Sequence, residues 1–115
     1  MSSEEINYSY GHTVSATAGA SGEYTLLTVT AAKKLKIKRV HIHFPAGSQY
    51  YLQIALLRGA EQVLPTGGYF VGDDSVYVVE CSLEYESGED VKVWYSNTDA
   101  ANDHSCYVFV EGVRT

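Results

Sequence analysis

The sequence predicts an all-β fold: an antiparallel β-sandwich of jelly-roll type, with about 7–8 strands and a flexible N-terminal arm. Three observations predict it. From Glu23 onward, short runs rich in Val, Ile, Leu and Tyr recur about every dozen residues, each bounded by turn-forming residues. No stretch carries the period of an amphipathic helix. Two long runs change side-chain phase halfway, which suits strands that bend between two sheets better than a flat stack.

The elements follow in order. Residues 1–22 read as a flexible arm, and residues 23–115 as one sandwich domain. The stretch from Ser15 to Gly22 is small and uncharged and predicts a loop. Before it, Ile6, Tyr8 and Tyr10 alternate with polar residues, so this arm forms a strand only if it finds an edge to pair with. Strands are expected over 24–30, 35–44, 50–58, 61–64, 76–85, 91–97 and 105–111. In 35–44, Leu35 and Ile37 lie on one parity, and Val40, Ile42 and Phe44 on the other. A bulge near Lys38 and Arg39 lets all five face one core. The same reasoning places Val76 and Val78 in the core together with Val79, Cys81, Leu83 and Tyr85.

Composition excludes several function classes. The chain has 115 residues, enough for one core. Eight Lys+Arg against 14 Asp+Glu leave a net charge of −6, so no nucleic-acid partner is expected. No apolar run reaches the roughly 20 residues of a membrane span, and the start is not that of a signal peptide. No membrane partner is expected, and production is expected in the cytoplasm. Five of the eight basic residues (Lys33, Lys34, Lys36, Lys38 and Arg39) fall within seven positions. They read as lysines guarding an edge strand, or as a stripe that pairs with an acidic loop of a neighbour.

Outward positions point to an interface. If Leu52, Ile54 and Leu56 face in, then Tyr51, Ala55 and Leu57 face out. The same parity sends Trp94 outward between Val93 and Tyr95, and Tyr107 and Phe109 outward between Cys106, Val108 and Val110. A solvated sheet face is polar at such positions. Tyr51, Leu57, Trp94, Tyr107 and Phe109 are therefore the expected interface of a homo-oligomer, unless loops or the arm cover them. A carbohydrate-binding face built on Trp94 and nearby Tyr is the alternative.

Chemistry-bearing motifs are few. His41 and His43 form an H-x-H pair on one strand face, and His104 could add a third nitrogen to a metal site. The pair resembles the start of the cupin metal motif. The acid that should follow it is missing, and Phe70 stands where P-x-G-x-x-H needs histidine. Parity also turns both His away from the core. A degenerate cupin is the third reading, with two surface histidines as the ordinary alternative. Cys81 and Cys106 read as core thiols. No nucleophile elbow or phosphate-binding glycine loop occurs, so neither enzyme activity nor a cofactor is expected.

The order of features from Leu35 to Val113 resembles small jelly-roll accessory proteins of viruses and phages. It rests on LKIKRVHIHFPAG (35–47), YLQIALLRGAEQVLP (51–65), SGEDVKVWYSNTD (87–99) and HSCYVFVEGV (104–113). The resemblance implies a decoration, turret or tail protein of a virion that forms cyclic oligomers, trimers or pentamers among them. Its partners would be further copies, other structural proteins or glycans.

Overall fold

A computed structural model describes residues 5–115. Among them are eight strands: β1 (Ile6–Ala16), β2 (Ser21–Thr28), β3 (Leu35–Phe44), β4 (Leu52–Arg58), β5 (Glu61–Leu64), β6 (Ser75–Tyr85), β7 (Asp90–Asn97) and β8 (His104–Arg114). They form two four-stranded sheets, ordered β1-β8-β3-β6 and β2-β7-β4-β5. All strand pairs are antiparallel. Only the β4–β5 connection stays within one sheet. Every other connection crosses between the sheets, which is the winding of a jelly roll.

The core lies between the two sheets. Leu35, Ile37, Val40, Ile42 and Phe44 are all buried in it. The pairing of β3 shifts between Ile37 and Arg39 against both neighbours, so the expected bulge is present. Gly112 lies opposite Ile37 on β8. A Cβ there would collide with the backbone oxygen of Lys36, so β8 passes this point only without a side chain. Tyr85 bridges the sheets: its buried hydroxyl donates to the Leu57 carbonyl at 3.0 Å. Burial raises its phenol pKa, so the donor stays protonated.

Three expectations are corrected. Residues 6–16 are not a flexible arm. They pair with β8 along their whole length, from Ile6 opposite Arg114 to Ala16 opposite His104. The edge that this strand needed belongs to its own chain. The flexible stretch shrinks to a turn over 17–20, with Ala20 N donating to Thr17 O at 3.0 Å. Residues 1–4 lie outside the described residues.

The second correction concerns β6. Val76 and Val78 do not enter the core and are 52% and 54% exposed. The inward position between them belongs to Tyr77, whose ring meets Phe44 and Phe70 and whose hydroxyl donates to Val71 O at 2.6 Å. The third concerns the lysines. Lys36 and Lys38 sit on β3, a central strand between β8 and β6, so they guard no edge.

Candidate protein interaction surface

The outer face of the β1-β8-β3-β6 sheet is organised in rows across its four strands. One row is polar and charged: Ser9, Glu111, Arg39, Glu80. The next is Gly11, Phe109, His41, Val78. The third is Thr13, Tyr107, His43, Val76. The last two rows are largely apolar or aromatic, and among the described residues no second sheet covers them.

Side-chain geometry tightens this patch. The rings of Tyr107 and Phe109 lie nearly parallel, 6.5 Å apart and 16° from coplanar. Phe109 meets His41 edge-on at 5.4 Å. The Tyr107 hydroxyl occupies the space a Cβ on Gly11 would take, so the missing side chain lets the ring lie across β1. Tyr107 remains 42% exposed. The charged row is internally paired. Arg39 Nε donates to Glu80 at 2.6 Å, Arg39 Nη1 lies 3.8 Å from Glu111, and His41 Nε2 lies 2.6 Å from Glu111. The bond to Glu80 raises the Arg39 pKa further, so the guanidinium stays charged. An internally paired polar margin thus borders an apolar and aromatic band.

The five residues expected to share one face do not. Tyr107 and Phe109 lie on the outer face just described. Trp94 and Leu57 belong to the other sheet, and the chain covers both. Tyr69 stacks on Trp94 at 4.8 Å, and Leu57 is only 6% exposed. The β5–β6 loop is held there by Gln62 Nε2, which donates to Pro65 O at 2.7 Å and to Gly68 O at 2.9 Å. Phe70 also pairs its backbone with Ile54. Tyr51 lies at one end of the sandwich, where it stacks on His104 at 5.7 Å.

The three histidines do not converge. His41 and His43 face outward on β3. His104 shares the inward parity of Cys106 and Val108 on β8 and pairs with Asp99, Nε2 to Oδ2 at 2.9 Å. That bond, with donors from Ala101 and Asn102, lowers the Asp99 pKa to about 2. Among the described residues, no group of three or more His, Cys, Asp or Glu could hold a metal ion. Cys81 and Cys106 are free thiols on strands separated by β3. Cys106 is the core thiol expected, and burial pushes its pKa up to about 12; Cys81 is only half-buried.

Sequence reasoning missed Val76, Val78 and Gly11 as parts of the surface, and the acidic partners of Arg39 (Glu80 and Glu111) lie in its own chain. The signal for the valines was present: reading β6 from Tyr77 gives an unbroken alternation through Val79, Cys81, Leu83 and Tyr85.

No protein-family model matches the chain, and no curated protein matches its sequence. Solved structures do match its fold. One is the acid-stable capsid structure of Helicobacter pylori bacteriophage KHP30, with TM-score 0.57 and 11% identity over 97% of this chain and 98% of that one. Another is the structure of infectious bursal disease virus, Gt strain, with TM-score 0.52 and 9% identity over 96% of this chain. The chain spans only 35% of that viral chain. At these identities the likeness is one of fold: the chain has the jelly roll found in viral and phage capsid structures. No helix among the described residues is long and apolar enough to cross a membrane.

Proposed function

We propose that this chain is a non-enzymatic structural module of a virus-type particle, assembled with further copies through the outer face of the β1-β8-β3-β6 sheet. The observation that carries the reading is the uncovered pair of rows from Thr13 and Gly11 to Val76 and Val78, centred on Tyr107 and Phe109. Contiguous exposed apolar surface of this kind marks interaction sites. The kinship of fold with capsid structures supports the virion setting.

Phe109→Lys places a charge in the centre of the patch, on the outward side of β8, where no core contact is lost. It is expected to convert the assembled protein to a smaller species without lowering the melting temperature of the monomer. An unchanged solution mass removes this face from assembly. The near-parallel Tyr107 and Phe109 rings favour one second reading, a platform for sugar rings. Under it, Tyr107→Ala abolishes glycan binding and leaves the solution mass as it is. Trp94, under Tyr69, takes part in neither.

A further inference from the structure

The edges of the sheet carrying the patch differ in kind. The outward row of β1 is polar or small: Asn7, Ser9, Gly11, Thr13 and Ser15. The edge of β6 is eleven residues long and, among the described residues, has backbone partners only on its β3 side. It carries exposed Val76, Tyr77 and Val78, and no Lys, Arg or Pro. Its carboxylates, Glu80 and Glu84, lie beyond Val78, so the segment Val76–Val78 is an apolar edge without such guards and a template for another strand.

We infer that β6 pairs antiparallel with β6 of a second copy of this chain, Val78 opposite Val78, joining the two sheets into one of eight strands. The inference rests on the assembly reading and names its first contact. Like charges directly opposite one another destabilise a strand pair, and that narrows the register. Centring the two-fold on Tyr77 sets Asp74 against Glu80 of the second copy. Centring on Val79 sets Asp74 against Glu84, and centring on Glu80 sets Glu80 against itself. Centring on Val78 places Glu80 opposite Val76 and Asp74 opposite Ser82, with no carboxylate facing another. Centring on Cys81 also keeps carboxylates apart but sets Val76 and Val78 against Glu86 and Glu84, and centring on Val76 pairs only Ser75–Tyr77 of β6. The arrangement is isologous, as a two-fold dimer requires, and it sets the two aromatic patches side by side. Phe109, His41 and Val78 of one copy then continue into Val78, His41 and Phe109 of the other.

The register is testable by cross-linking in a Cys81→Ser background, with Cys106 buried in the core. Opposed residues have Cβ atoms about 4.5–5.5 Å apart, close to disulfide geometry. Under mild oxidation Val78→Cys is expected to give a covalent dimer. Val76→Cys alone is expected to give none, because its copies lie four residues out of register, about 13 Å along the strand. Mixed with Glu80→Cys, Val76→Cys is expected to link. Light scattering of the unmodified protein accompanies these reactions. A multimer in which Val78→Cys does not link overturns the edge pairing and leaves the assembly reading standing. A monomer without linkage overturns both. Equal linkage by Val76→Cys alone means random collision and also overturns the inference.

Discussion

Replacing Asn97 with alanine removes the polar centre of one end of the sandwich. The side chain is buried. Its Nδ2 lies 3.2 Å from Ala16 O, 3.2 Å from Thr17 O and 2.9 Å from Asn102 O, while its Oδ1 accepts from Asp99 N at 3.0 Å. Three carbonyl oxygens around one nitrogen fix the orientation of the amide. With two hydrogens for three acceptors, the amide makes in effect two donated bonds and one accepted. At about 1 kcal/mol each, the expected loss is about 3 kcal/mol. In a domain of this size that is a fall of about 12 °C in melting temperature. The loss is local, since Asn97 ties the end of β1 to the loop that leads into β8. Urea unfolding at pH 7 and fixed protein concentration measures it, with Thr98→Ala as the exposed control. The Thr98 hydroxyl makes one exposed bond to Tyr51 O at 2.8 Å and is worth about 0.5 kcal/mol. A loss below about 1 kcal/mol for Asn97→Ala would refute the reasoning, because water would then be replacing the amide.

Three further outcomes are expected. Tyr85→Phe removes the hydroxyl that joins the sheets and costs about 1–2 kcal/mol in the same assay; no change means that the Leu57 carbonyl finds another donor. Asp99 has a folded pKa of about 2 against an ordinary 3.8, so its contribution is fully present above about pH 4 and is lost as pH falls towards 2. Asp99→Asn therefore flattens the acid side of the stability profile in that window, and an identical profile in the two proteins would exclude the pairing with His104. Tyr69→Ala uncovers Trp94, the single tryptophan, and shifts its fluorescence to the red while leaving the solution mass unchanged. A fall in mass would return Trp94 to the interface.

The fold was legible where a physical rule had one solution. Five apolar residues of β3 on two parities could reach a single core only through a bulge, and the bulge is there. Turn chemistry placed most strand ends within a few residues. Other features depended on contacts distant in sequence. The first strand could be read as an alternation, but its partner, β8, lies at the opposite end of the chain. Trp94 has outward parity, and only the path of the β5–β6 loop brings Tyr69 over it. In β6, both Val76 and Tyr77 suit a core, and the rings of Phe44 and Phe70 decide for the tyrosine. Of the expected interface residues, Tyr107 and Phe109 were placed on the outer face by parity alone, because β8 is a regular strand in the middle of its sheet. For Leu57 and Trp94 the alternative of a covering loop holds, because parity says which way a side chain points and nothing about what lies above it.

The central claim is that the outer face of the β1-β8-β3-β6 sheet joins copies of this chain. The most direct measurement is the solution mass by light scattering across a range of protein concentrations. A discrete multiple of the chain mass, falling to a smaller species in Phe109→Lys, is the expected result. A monomer that persists to the highest concentration reached would contradict the claim.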